Sequence, residues 1–305
     1  MIYTVTLNPA IDYIIHSEKV ELGELNRLDS DTKLPGGKGI NVSRVLQQFQ
    51  EPNTALGFIG GFPGKFIQDC LEKEQVLTHF IQVQEDTRIN VKLKSVSETE
   101  FNAQGPTIQA QEAETLLKQM DQLTDQDIVI LSGNKQGSLP DDYYEKMILR
   151  IQQAGARFVI DTTGKEMMTA LAYHPLLVKP NHHELAELFH TSFASMQDMI
   201  PYGKQLIEAG AQHAIISMGG DGALFFTDGA VYHATVPKGH VLNSVGAGDS
   251  MIAGFIAAFV QTQDPMTAFK TSVATGSATA FSQDLATKEK IEQLLPSVSV
   301  NKISE

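Results

Sequence analysis

Residues 243–250 read Asn-Ser-Val-Gly-Ala-Gly-Asp-Ser, and the apolar run Met251 to Val260 follows at once. Gly246, Ala247 and Gly248 are small enough for their backbone N–H groups to come close to an anion. The helix expected over the apolar run adds first-turn N–H groups without intrahelical acceptors, and the positive end of its dipole. A carboxylate, Asp249, stands in the same place. A phosphate-binding corner has no need of an acid, because like charges repel. The acid makes sense if it takes a proton from an attacking hydroxyl while the N–H groups hold charge developing on phosphorus. The plainer reading is an N-cap aspartate after a glycine turn. For a lone Gly-x-Gly-Asp the plainer reading would stand, so the rest of the chain decides.

The 305 residues suit one large α/β domain, with or without a small appendage. A hydrophobic content of 42% is ample for a core. The single cysteine, Cys70, excludes an intrachain disulfide and fits a reducing compartment. The opening Met-Ile-Tyr-Thr-Val-Thr-Leu-Asn-Pro lacks a basic leader and reads as a first strand. The run Met251 to Val260 is far too short to span a bilayer. A soluble, cytoplasmic protein is therefore expected. The net charge of −13 repels nucleic acid and anionic membranes, so neither is an expected partner. The same field repels a phosphorylated substrate. A phosphate site would need basic residues concentrated locally, and Arg27, Lys38 and Arg88 are the candidates.

Short β-rich runs alternate with helical stretches. Strands are expected at Ile2 to Leu7, Thr54 to Ile59, Asp127 to Leu131, Arg157 to Ile160 (ending at Asp161), Leu176 to Val178 and His213 to Ser217. Helices are expected at Gly39 to Phe49, Thr115 to Leu123, Tyr143 to Gln153 and 203–209. This rhythm predicts a mostly parallel sheet with helices on both faces. Two early segments, Asp12 to Lys33 and Thr87 to Asn102, break it. In the second, Ile89, Val91 and Leu93 alternate with Asn90, Lys92 and Lys94, the pattern of a half-buried strand. The pair reads either as a small sheet apart from the main one or as two surface hairpins.

Four further motifs sit between these elements. Pro35-Gly36-Gly37-Lys38-Gly39-Ile40-Asn41 leads into a helix, with neither dinucleotide-binding nor Walker A spacing. Its glycines allow a ligand onto the backbone, Lys38 supplies a point charge, and Asn41 can donate and accept toward sugar hydroxyls. A glycine turn with a solvated lysine is an equal alternative. Gly60-Gly61-Phe62-Pro63-Gly64-Lys65-Phe66 imitates a P-loop but lacks its spacing and its Ser/Thr, and reads as a turn into a helix. Lys179-Pro180-Asn181-His182-His183-Glu184-Leu185 follows a strand, where open α/β sheets place ligands. Asn181 and Glu184 would share a helix face suited to ordering water around Mg²⁺; an ordinary first-turn acid is the alternative for Glu184. Ser217-Met218-Gly219-Gly220-Asp221-Gly222 is either a β-turn or a close approach for a nucleotide. Asp161 is similarly open. Asp12, just after strand one, could hold sugar hydroxyls.

The glycine loop near residue 40 and the Gly-Ala-Gly-Asp octet together resemble the two signatures of the PfkB carbohydrate kinase family, the ribokinase-like kinases. The resemblance spans essentially the whole chain, including residues 6–12, 179–185 and 217–223. Residues 36–43, 57–66 and 86–94 are most similar to the branch acting on fructose 1-phosphate. Asn243, where the general pattern has Asp, favours the phosphosugar branch. The resemblance implies one ribokinase-like domain over 1–305, a three-layer α/β/α sandwich with a mostly parallel sheet and a small β lid from about 12–33 and 87–102. The lid would join two copies into a homodimer. The catalytic base would be Asp249 and the anion hole Gly246, Ala247 and Gly248. Sugar contacts would fall on Asp12, Gly37, Lys38 and Asn41, with Arg27 and Arg88 on phosphate. ATP would touch Lys179, Ser217, Gly219, Gly222, Gly246 and Gly248, and Mg²⁺ would be held through water by Asn181 and Glu184. The implied reaction phosphorylates the 6-hydroxyl of D-fructose 1-phosphate. A tagatose-6-phosphate kinase and a non-catalytic sugar-phosphate sensor are the alternatives.

Overall fold

Strand Ile128–Ser132 shows in five residues how the molecule is layered. All five are buried. Successive side chains point to opposite faces, so Val129 and Leu131 join one apolar cluster while Ile128 and Ile130 join another. The first cluster is closed by helices Ala110–Met120, Tyr143–Gln153 and Met196–Glu208. The second is closed by Lys38–Gln48, Ala247–Thr262 and Pro265–Ala280. The result is helix, sheet, helix. The computed structural model describes residues 1–227 and 229–304.

The main sheet has eleven strands among the described residues. Its order runs Val300–Ser304, Ala230–Ala234, Ala223–Thr227, Ala214–Ser217, Leu177–Val178, Arg157–Asp161, Ile128–Ser132, Ile2–Thr6, Asn53–Ile59, Leu77–Thr78, with Ile81–Gln82 also pairing with Asn53–Ile59. Pairing is parallel from Ala214–Ser217 to the last of these, as the alternation predicts. The three strands from 223 onward are antiparallel and form an edge that the βα rhythm did not anticipate.

Two helices begin earlier than their apolar spacing suggests. Ala110–Met120 starts where the Glu112 carboxylate accepts the Gln109 N–H at 2.7 Å. Met196–Glu208 starts where Asp198 accepts the Ser195 N–H at 2.8 Å, with Pro201 inside the helix. Both starts are set by caps, which precede the periodic stretch. Helix Ala247–Thr262 is buried along most of its length. It lies close against Pro265–Ala280 because Gly254 and Gly276 let the backbones approach: a Cβ on Gly254 would fall 2.4 Å from Thr275 Oγ1. Among the described residues, no helix is long and apolar enough to cross a membrane.

The two segments that break the rhythm form one separate four-stranded sheet, ordered Ser30–Gly36, Ala10–His16, Arg88–Lys94, Glu98–Phe101. Its alternation is real, but the buried face is the polar one. Asn90 and Lys92 are each 7% exposed, against 37% for Ile89. The polar face is covered because it closes over the carboxyl ends of the main sheet's parallel strands. The other face of the small sheet leaves Ile89 and Phe101 exposed, and Leu22 and Leu25 are exposed on the loop joining two of its strands.

Candidate active site

The carboxyl ends of the parallel strands open into a cavity of about 700 Å³. Asp161 closes one strand, and register places it beside Ser132, which in turn faces Thr6 on the next strand. Asp161 is 1% exposed. Lys38 Nζ donates to its Oδ2 at 3.1 Å, and Lys179 Nζ lies 3.5 Å from its Oδ1. Burial alone would raise the Asp161 carboxyl, but the two ammonium groups outweigh it and hold it below the usual carboxylate range. Burial would likewise lower Lys38, yet Asp161, Asp249 and Glu184 keep it protonated well above its ordinary value.

Asp249 lies in the first turn of helix Ala247–Thr262, 6% exposed. Asn41 Nδ2 donates to its Oδ2 at 2.8 Å. Burial, then repulsion from Asp161, push its carboxyl up to about 6; Lys38, the Asn41 hydrogen bond and Lys179 oppose the rise. An acid with that value is mostly ionised at neutral pH and takes a proton readily. The turn before it needs Gly246, whose φ is 77° and where a Cβ would lie 2.6 Å from Leu285. Gly37 caps the helix of Asn41 with φ 128°, and a Cβ there would meet Thr6 at 2.6 Å.

On the lid side, Asp12 accepts from Asn90 Nδ2 at 3.1 Å and pairs with Lys92 Nζ at 3.3 Å. Arg88 donates to the carbonyls of Asn8 and Ala103, at 3.0 and 2.9 Å. At the opposite end, Asn181 and Glu184 form a reciprocal cap. Asn181 Oδ1 accepts the N–H of Glu184 at 2.9 Å, and Glu184 Oε2 accepts the N–H of Asn181 at 2.8 Å. Glu184 Oε1 remains toward the cavity, 4.0 Å from Lys38 Nζ. Among the described residues, no group of three His, Cys, Asp or Glu is placed to hold a metal directly.

The cavity thus gathers Asp12, Gly37, Lys38, Asn41, Arg88, Lys179, Asn181, Glu184, Ser217, Gly246, Gly248 and Asp249. Four expected residues are not among its walls. Arg27 is exposed on the loop joining two lid strands. Ala247 donates its N–H to Ser244 O within the turn. Gly219 is exposed with open space around it, and Gly222 is a glycine for packing, since a Cβ would fall 2.0 Å from Ala234 O. The residues that sequence reading left open or passed over are Asp161, Asn8, Asn90, Lys92, Thr6 and Ser132, all lining the cavity. Asp161 carried a signal, an acid ending an apolar parallel strand.

A model of the pfkB family of carbohydrate kinases matches residues 5–300. The chain is 52% identical over 303 residues to the 1-phosphofructokinase of Bacillus subtilis (strain 168), covering 99% of this chain and all of that protein. It is 34% identical over 301 residues to the D-tagatose-1-phosphate kinase of Bacillus licheniformis, covering 98% of this chain and 99% of that one. A crystal structure of a candidate phosphofructokinase from Staphylococcus aureus superposes with a TM-score of 0.88 at 46% identity, covering 100% of this chain and 99% of that one. The chain belongs to the pfkB family of carbohydrate kinases.

Proposed function

We propose that this chain transfers the γ-phosphoryl group of ATP to the 6-hydroxyl of D-fructose 1-phosphate, with Asp249 as general base. The observation that carries the reading is Asp249 itself: a buried carboxylate pushed up to about 6, in the first turn of a helix whose N–H groups suit an anion. Its hydrogen-bond partner Asn41 is neutral, while Lys38 and Lys179 lie against Asp161. Likeness to a relative named 1-phosphofructokinase supports the substrate.

In this reading Asp249 takes the proton of the 6-hydroxyl as its oxygen bonds to the γ-phosphorus. The bond from that phosphorus to the bridging β–γ oxygen breaks, and ADP leaves. Backbone N–H groups at Gly246 and Gly248, with Lys179, face the charge spread over the transferring group. Asp12, Gly37, Lys38 and Asn41 hold the sugar, and Arg88 its phosphate. Asn181 and Glu184 suit Mg²⁺ held through water, because their cap leaves only Glu184 Oε1 open and no direct cage exists among the described residues. When bound, that ion would neutralise charge on the nucleotide phosphates. A cytoplasmic location, where ATP and phosphosugars are at hand, fits this reading.

A second reading has a specific observation behind it. The 34% identical relative is named for D-tagatose 1-phosphate, the C4 epimer. Parallel kcat/KM measurements on the two sugar phosphates decide; a clear preference for the tagatose compound overturns our choice. We further propose that the apolar outer face of the lid joins two copies. Phe101→Glu with Ile89→Glu should then shift the sedimenting mass to that of a monomer.

A further inference from the structure

Thr4 and Thr6 point to the same face of one strand, yet their hydroxyls fare differently. Thr4 Oγ1 bonds to Ser43 Oγ at 2.7 Å. Thr6 is 4% exposed, and its Oγ1 has no hydrogen-bond partner among the described residues. Ser132, its register partner on the adjacent strand, is 1% exposed and equally without one. Both line the cavity. A buried hydroxyl left unpaired costs more than a typical hydrogen bond returns, so two side by side at a cavity floor point to something that fills their valences there.

The chemistry of the pair narrows the ligand. Hydroxyls are uncharged and both donate and accept, which suits a neutral polyol. A phosphate calls for cations; the nearest two, Lys38 and Lys179, are engaged with Asp161, and Arg88 and Lys92 line the cavity from the lid. Thr6 also lies directly under the glycine loop: a Cβ on Gly39 would sit 2.6 Å from its Oγ1. We propose that Thr6 and Ser132 are the floor of the sugar subsite and bond the ring hydroxyls, setting the preference between D-fructose 1-phosphate and its C4 epimer. This rests on the phosphosugar-kinase reading above. A site built to bond a hydroxyl discriminates strongly against a substrate that leaves its polar groups unpaired.

The test compares Thr6→Val, Ser132→Ala and Thr6→Ser with the wild type on D-fructose 1-phosphate, D-tagatose 1-phosphate and ATP. Each hydroxyl deletion should raise KM for fructose 1-phosphate roughly 5–30-fold. KM for ATP should stay put, and the fructose-to-tagatose ratio of kcat/KM should fall toward one. Thr6→Ser, which keeps the hydroxyl, should retain that ratio. Unchanged sugar KM in both deletion variants overturns the inference, as does a rise confined to ATP or a rise in sugar KM with the ratio intact. Should Thr6→Val fail to fold, Ser132→Ala carries the same outcomes. A wild type that turns over neither sugar phosphate sinks the kinase reading and this inference with it. Normal wild-type turnover with unaltered variants sinks this inference alone.

Discussion

The two buried carboxylates of the cavity, Asp249 and Asp161, sit in almost equal isolation from solvent, 6% and 1% exposed. Their acidities move in opposite directions. Asp161 lies between two ammonium groups and stays ionised below the ordinary carboxylate range. Asp249 has a neutral amide as its close partner and rises to about 6, partly through repulsion by Asp161. Burial is common to both, so the partners decide. A carboxylate without a close cation is available to accept a proton. A carboxylate with two is an anchor and the source of a field. That division of labour between paired and unpaired acids is what acid–base chemistry at neutral pH requires.

The contrast is most sharply broken by Asp249→Asn, which deletes the proposed proton acceptor and leaves Asp161 intact. We expect kcat to fall by about 10²–10⁴-fold, measured in a coupled ADP assay. The same change should stabilise the fold. The carboxyl of Asp249 is raised in the native state, so the native protein binds the proton more tightly between the ordinary carboxylate value and about pH 6. Stability is therefore lost as pH rises through that window, and above it the penalty is constant, on the order of 2–3 kcal/mol. Asp249→Asn should melt higher than wild type at pH 7 and lose this advantage near pH 4. Equal melting at both pH values would remove the case for a strained carboxylate.

Asp161→Asn attacks the other member. It leaves Lys179, 5% exposed, without its buried counter-charge, a type of loss that costs about 3–5 kcal/mol. The sign is opposite to that of Asp249. A lowered native carboxyl contributes stability above the ordinary carboxylate value and loses it as pH falls. Thermal melts of Asp161→Asn should thus fall well below wild type at pH 7 and converge with it in acid.

The smallest effects sharpen the comparison most. Activity of the wild type should decline below about pH 6, where Asp249 takes up its proton. Asp161→Asn removes a neighbouring negative charge and should move this acid limb to lower pH. Lys38→Met removes a positive one and should move it to higher pH. Profiles of kcat against pH that shift the same way in both variants would show that Asp249 is not the titrating group.

Legibility in the sequence followed distance along the chain. The Gly-Ala-Gly-Asp turn was readable because its parts are consecutive and its geometry is local. The Lys38–Asp161 pair joins residues 123 apart, and Asp161 alone at a strand end carried no hint of its two lysines. The lid strand Arg88–Lys94 revealed its alternation but not its orientation: period two marks two faces and does not say which is covered. Gly222 and Gly219 share one turn, yet a Cβ at Gly222 would meet the carbonyl of Ala234 while Gly219 has open space around it. Glycine spacing alone does not separate a close ligand from a close backbone.

From its residues alone this chain declares a mostly parallel α/β sheet with helices on both faces, an aspartate at a helix start and two segments that break the rhythm, because helix starts, strand runs and turns are local consequences of side-chain chemistry. Which carboxylate is paired, which lid face turns inward and which hydroxyls stand bare at the cavity floor were settled only by folding. Parallel strands must be joined by crossovers, so neighbouring strand ends come from distant stretches of chain. Charge and burial at such a junction belong to the assembled surface and to no segment of it.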